Sequence, residues 1–243
     1  MSLASGTFTG VGVGPGAPDL LTLRAVRAIA AADLLVYIQN PEGFSLGRHI
    51  AREALAMPER NPQQCELPIP LNMSKDRKQI NLQYDRAAEQ ISEHLGQGGN
   101  AVFLCEGDPL FFGSFIYMQS RLQERFPCSI IPGVTSVSAA SAAVGIPLTL
   151  IDENLAVLSA RTTDQAIGDA LTRFHSVALL KAGPQLPRLL SLLEASGRLG
   201  DGVYLERIGH DDQRIVHDLG SLSGTTGPYF SLLLITRRER PLR

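Results

Sequence analysis

Three short stretches hold the residues best placed to do chemistry. In "VGVGPGAP" (residues 11–18), Gly12, Gly14, Pro15 and Gly16 sit between an apolar run and an amphipathic one. In "CEGDPLFFG" (105–113), Glu106 and Asp108 flank Gly107, and Phe111 follows. In "PGVTS" (132–136), Thr135 and Ser136 place two hydroxyls just after a Pro-Gly turn. None of these pairs a nucleophile with a base. Each is a glycine turn that follows an apolar, strand-like run, so each brings main-chain N–H and C=O groups to a strand's carboxyl end, where open α/β sheets bind ligands. The implied chemistry is close approach of backbone to a flat, bulky ligand, and the three turns are expected to converge on one cleft.

A dinucleotide phosphate is the usual occupant of such a loop, and the spacing argues against it. Counted from Gly10, the G-x-G-x-x-G pattern fails at Pro15; counted from Gly12 it runs Gly12, Gly14, Ala17. The helix does not start there, however. Pro18 and Asp19 intervene, and Thr22 is the expected N-cap. A helix N-terminus displaced by several residues cannot point at a phosphate in the loop. The next strand, "DLLVYIQN", also lacks an acidic residue at its end for a ribose. The five histidines, at 49, 94, 175, 210 and 217, are scattered. His210 and His217 flank "DDQRIV" and read as a solvated turn, so no metal is expected. No side chain stands out as a general base, and the catalytic assignment stays open.

The elements that must position these turns follow from periodicity. Strands are expected over 7–13, 33–38, 100–105 and 128–131, with helices over 23–32, 46–56, 77–95 and 110–125. The Pro- and Asn-rich stretch 58–72 reads as surface loop. This alternation predicts a parallel or mostly parallel sheet covered by helices. After a boundary near residues 132–133, a small-residue helix (136–144) leads to strands at 155–159 and 177–181 and helices at 164–174 and 186–195. Three runs with no helix between them, 202–208, 214–219 and 229–236, suggest an antiparallel edge. The fold class is α/β, with two α/β domains over 1–132 and 133–243.

Composition narrows the partners. The 243 residues carry 22 basic and 24 acidic side chains, a net charge of −2, which argues against general nucleic-acid binding. No apolar run approaches the ~18 residues of a membrane span, and "MSLASGTF" has no signal-peptide character. Three cysteines without a C-x-x-C read as reduced, buried thiols of a cytoplasmic chain. The end, "RRER" at 237–240, reads as a frayed tail.

The stretches "VGVGPGAPDLLTLRAVRAI", "CEGDPLFFGSF" and "PGVTSVSAASAAVGIPL", in this order, resemble the tetrapyrrole methylases, a family of S-adenosylmethionine-dependent methyltransferases of cobalamin and sirohaem synthesis. The resemblance runs from about residue 8 to 236. "LNMSKDRKQINLQYDRAAEQI", "FFGSFIYM" and "PYFSLLLITRR" are most similar to the branch that methylates precorrin-2 at C20. It implies two α/β domains with mixed sheets, a cofactor cleft between them, and a homodimer. Gly12, Gly14, Pro15 and Gly16 would floor the tetrapyrrole trough, with Pro15 also beside the donor methyl. Glu106, Gly107, Asp108, Phe111, Thr135 and Ser136 would contact S-adenosylmethionine. Leu180 and Ala182 of "LLKAG" would grip the adenosine, with Glu206, Arg207, Ile208 and Pro228 supplying further contacts. A polycarboxylate substrate needs cations, and Arg48, Lys75, Arg77 and Lys78 are the candidates.

Other readings carry distinct signatures. A dinucleotide redox enzyme needs the missing ribose carboxylate. A non-catalytic binding module has no need of three backbone-lined loops in two domains. Diphthine synthase acts on a protein and would lack "PIPLNMSKDRK". Cobalt-precorrin-2 as substrate, or a sister enzyme acting at C11 or C17, remain alternatives within the family.

Overall fold

The computed structural model describes residues 5–71 and 77–237. Lys75, with the rest of "NMSKD" (72–76), and most of the "RRER" tail lie outside them. The chain divides into two compact units, 1–135 and 136–243.

In the first unit each strand but the last is followed by a helical connection to the next, the arrangement that parallel pairing needs. The strands are β1 (Phe8–Gly12), β2 (Leu34–Gln39), β3 (Cys65–Pro70), β4 (Ala101–Cys105) and β5 (Cys128–Ile131). They form one sheet in the order β3-β2-β4-β1-β5, with all four pairings parallel. Alternate residues face opposite layers. Leu34, Val36, Phe103 and Cys105 pack against α4 (Arg77–Gly96) and α5 (Phe115–Leu122). Leu35, Tyr37, Val102 and Leu104 pack against α1 (Leu23–Ala31), α2 (Leu46–Ile50) and α3 (Arg52–Leu55). The strands are therefore buried on both faces and read as continuous apolar runs.

Three expectations for this unit are corrected. The stretch 58–72 holds the edge strand β3. Its prolines hid it, but on this edge Cys65 donates to Asp33 just before β2 and Leu71 to Gln39 at its end, while Pro68 and Pro70 fall on the alternate, outward positions that need no N–H. The helix expected over 46–56 is two short helices meeting at Ala51. The helix expected from residue 110 begins at Phe115, because Phe112 adopts φ 57° and Gly113 extends the turn. Cys105 is buried as expected, Cys128 half-buried and Cys65 exposed; all three are free.

In the second unit, β6 (Leu155–Ser159), β7 (Ser176–Leu180), β8 (Gly202–Glu206), β9 (Arg214–Val216) and β10 (Ser231–Thr236) form a mixed sheet in the order β6-β7-β10-β8-β9. The last strand is not at an edge. β10 inserts in the middle, antiparallel to both β7 and β8. Its run "SLLLIT", buried throughout, fits that central place. α7 (Asp164–Arg173) and α8 (Leu186–Ala195) cover one face, and α6 (Ser136–Val144) packs against β10. Arg198, itself buried, donates to the carbonyls of Leu171, Phe174 and His175 and so closes the C-terminal end of α7.

The aromatic trio Phe8, Phe103 and Phe115 joins α5 to the sheet. Phe8 and Phe115 stack with ring centroids 5.4 Å apart. Gly10 makes this possible: a Cβ there would lie 2.6 Å from the Phe115 ring. Gly10→Ala should cost about 1–3 kcal/mol by overpacking, seen as a lower midpoint in urea unfolding with unchanged slope. An unchanged midpoint would contradict this packing account.

Candidate functional site: three glycine turns and a second loop cluster

Because β1 lies between β4 and β5, the turns that follow these strands meet at one sheet end. The contact is main chain to main chain. A Cβ on Gly12 would lie 2.5 Å from the Gly133 nitrogen and 2.6 Å from the Gly107 oxygen. A Cβ on Gly133 would lie 2.1 Å from that same Gly107 oxygen. Real Cβ atoms do not approach so closely, so both positions demand glycine. Beyond the ladder, Val13 donates to the Cys105 carbonyl at 2.8 Å, and Gly14 and Gly107 exchange hydrogen bonds of 3.3 and 2.8 Å. A single 3-10 turn, Pro18–Leu20, follows the first turn, and α1 starts only where Thr22 caps it, its hydroxyl accepting from the Ala25 N–H at 3.1 Å. The displaced helix start that argued against a dinucleotide is thus present.

Asp108 and Glu106 both turn inward. Asp108 Oδ1 accepts from the Leu110 N–H at 2.9 Å, and Oδ2 accepts from the Gly133 N–H at 3.1 Å. Glu106 Oε1 accepts from the Gly47 N–H at 3.1 Å. Phe111 is half-buried and its N–H donates to the Asp108 carbonyl. Pro15, Thr135 and Ser136 are also half-buried, while Gly16 is buried. Gly107 faces open space. At φ 69°, a Cβ there would meet nothing nearer than 4.0 Å. The cysteine before it is sealed in: burial, then the Glu106 and Asp108 carboxylates, push the Cys105 thiol well up.

The second unit gathers its own cluster at the end where β7 and β8 finish and β10 begins. Lys181 and Ala182 donate to the Ser231 carbonyl at 2.8 and 3.3 Å. Gly183 donates to Ser231 Oγ at 2.8 Å, and that hydroxyl donates to the Pro228 carbonyl at 2.6 Å. Gly227 donates back to the Gly183 carbonyl at 3.0 Å, and Arg207 donates to the Phe230 carbonyl at 2.9 Å. The structure therefore brings together Leu180, Ala182, Glu206, Arg207, Ile208 and Pro228. Lys181 and Arg207 hold φ of 62° and 49°. Such left-handed non-glycine residues cost of order 1–3 kcal/mol each and cluster at ligand sites. Sequence reasoning missed Ser231, the hub of this network, and Tyr204. Tyr204 is fully buried, its hydroxyl 2.0 Å from where a Gly227 Cβ would stand, and burial pushes its phenol up to about 12. The adjacent Gly227–Pro228 and Gly183–Pro184 pairs were the available signal.

The proposed carboxylate clamp changes. Arg48 is committed to Glu66, with Nε and Nη2 at 2.7 and 3.0 Å from its two oxygens. Tyr37 (2.8 Å) and Arg60 (3.1 Å) donate to the same carboxylate. Arg77 and Lys78 open α4 and are exposed. Among the described residues no group of His, Cys, Asp and Glu forms a metal site, and no helix is long and apolar enough to cross a membrane.

The model of the Tetrapyrrole (Corrin/Porphyrin) Methylases matches residues 7–222. A "Precorrin-2 C(20)-methyltransferase" of Sinorhizobium sp is 36% identical over 97% of this chain and 98% of its own length. Among solved structures, a cobalt precorrin-4 methyltransferase superposes with TM-score 0.72 at 20% identity, covering 95% of this chain and 94% of that one. The uroporphyrin-III C-methyltransferase of Thermus thermophilus, complexed with S-adenosyl homocysteine, superposes with TM-score 0.63 at 23% identity, covering 94% and 97%. This chain belongs to the tetrapyrrole (corrin/porphyrin) methylases.

The Arg48–Glu66 cluster gives a pH signature. Hydrogen bonds from Arg48 chiefly, helped by Tyr37 and Arg60, hold the Glu66 carboxyl at about 2, below its usual 4.5. A depressed carboxylate stabilises the fold above its unfolded value and loses that as pH falls toward the folded one. The cluster is partly solvated, so Glu66→Gln should cost only ~1 kcal/mol at neutral pH. The gap between the variants should narrow from pH 4.5 toward pH 3 in thermal melts. A gap constant over that range would contradict the pairing.

Proposed function

We propose that this chain transfers a methyl group from S-adenosylmethionine to C20 of precorrin-2 in cobalamin biosynthesis. The observation that carries the proposal is the 36% identity, over nearly the whole of both chains, to a protein named for that reaction. A solved relative of the same fold holds S-adenosyl homocysteine.

The residues present fit such a cofactor. The main chain at Gly107 is open on the side where a Cβ would stand, and it is fixed by the Gly14 and Gly133 contacts. In the first unit, Glu106, Gly107, Phe111, Thr135 and the Pro15 turn are the proposed holding groups, with Ser136 from the first turn of α6 and Asp108 bonded to the Gly133 N–H beside them. In the second, Leu180, Ala182, Glu206, Arg207, Ile208 and Pro228 are the proposed adenosine-side group. Bound S-adenosylmethionine supplies an activated methyl on a sulfonium centre. The chain's own contribution is orientation. Methyl transfer needs an in-line approach, and misplacement of about 1 Å costs rate steeply. Turns locked by main-chain contact provide that precision. Gly12, Gly14 and Gly16 floor the proposed tetrapyrrole side. Because Arg48 is occupied by Glu66, Arg77 is a better candidate than Arg48 for the substrate's carboxylates, with Lys75 and Lys78 near it in sequence. We place the protein in the cytoplasm as a homodimer.

Incubating the full chain with methyl-labelled S-adenosylmethionine and precorrin-2, with and without cobalt, should put the label on C20, read by NMR. Label at C11 or C17 would overturn the position and keep the reaction class; no transfer to either tetrapyrrole would overturn the function. Light scattering should give twice the 26.2 kDa chain mass; a monomer at micromolar concentration would overturn the dimer.

A further inference from the structure

We infer that Asp108 is a positioning residue: its carboxylate fastens the Pro132–Gly133 turn to the Gly107 turn, and it acts on a bound cofactor through that turn and Thr135 rather than by touching the cofactor itself. The inference rests on the cofactor reading given above. It also changes the role the sequence suggested, in which Asp108 is a direct contact.

The β1–β5 ladder ends at Val11 opposite Ile131. The next residue, Pro132, has no N–H. Gly133 is the first donor past the end of the ladder, in a crowded place where an unmade hydrogen bond is costly. Asp108 Oδ2 takes that donor at 3.1 Å, standing in for the missing strand partner. Its other oxygen takes the Leu110 N–H at 2.9 Å, which fixes the carboxylate's own orientation. The side chain thus ties together two main-chain segments 25 residues apart. The Gly133 turn has little room to move, since the Gly107 carbonyl stands 2.1 Å from its missing Cβ. Thr135 is two residues further on. A small shift at Gly133 is therefore passed along two peptide units to the Thr135 hydroxyl. With one N–H on each oxygen, the carboxylate is directed at the protein's own backbone.

Asp108→Asn separates the two bonds. The amide keeps an oxygen for the Leu110 N–H but puts an NH2 against the Gly133 donor. Amide hydrogen exchange at Gly133 should rise at least about tenfold, the equivalent of one ordinary hydrogen bond, while the β1 and β4 amides stay protected. Unchanged exchange at Gly133 would overturn the inference. Calorimetry with S-adenosylhomocysteine on Asp108→Asn, Thr135→Val and the double variant completes the test. Positioning through Thr135 predicts that the double variant binds no more weakly than the weaker single one. Losses that multiply would mean that Asp108 contacts the ligand independently, which overturns the proposal. If Asp108→Asn does not fold, the wild-type chain serves: the Gly133 amide should exchange slowly with solvent, and exchange as fast as in an open loop would overturn the link. Failure of the wild-type chain to bind S-adenosylhomocysteine would count against the cofactor reading alone, leaving the exchange result to decide the role of Asp108.

Discussion

The feature on which the first unit's site depends is the contact of three backbones at Gly12, Gly107 and Gly133. Parallel pairing of β4, β1 and β5 brings the turns to one edge, but side chains would keep them apart. With no Cβ at Gly12 or Gly133, the Gly107 carbonyl can sit between them. The order β4-β1-β5 is then a requirement of the site as much as of the core, because only neighbours of β1 can deliver turns to this point. Asp108 fastens the third turn, and the Phe8–Phe103–Phe115 stack fastens the helix that follows the second.

The same logic operates in the second unit by different means. There the loops 180–183 and 227–231 interlock through Ser231, whose backbone carbonyl and hydroxyl serve four partners. Three of the four non-glycine residues with left-handed φ among the described residues, Phe112, Lys181 and Arg207, belong to the loops that the sequence singled out. The fourth, Ile151, is exposed in a connecting loop. At Lys181 and Arg207 the strain of a left-handed φ is held in place by main-chain hydrogen bonds to Ser231 and Phe230.

Much of this was legible in the sequence because local rules and tertiary demands agreed. Apolar runs ending in glycine turns marked β1, β4 and β5, and Thr22 marked the start of α1. Gly133 is held by Gly12, Gly107 and Asp108, and the first compact unit runs to residue 135. What was hidden had a physical reason in each case. β3 was concealed by prolines that only an edge strand tolerates. The centre of the second sheet was concealed because strand order is not a local property: β10 reads the same at an edge or in the middle until β7 and β8 are placed. The pairing of Arg48 with Glu66 was concealed by distance in sequence, as was the turning of Asp108 toward Gly133. A residue type at the right spacing identifies a polar group at a site without telling which way it faces.

The central proposal is that the Gly107 turn in the first unit and the Ser231-linked loops in the second each carry contacts to S-adenosylmethionine. The most direct measurement is amide chemical-shift mapping of the full chain on titration with S-adenosylhomocysteine. The account predicts that the largest changes fall at Gly107, Gly133 and Thr135 in the first unit and at 181–183 and 227–230 in the second, with β3 and the Arg48–Glu66 cluster unmoved. Saturable binding whose shifts avoid both sets of loops would contradict it.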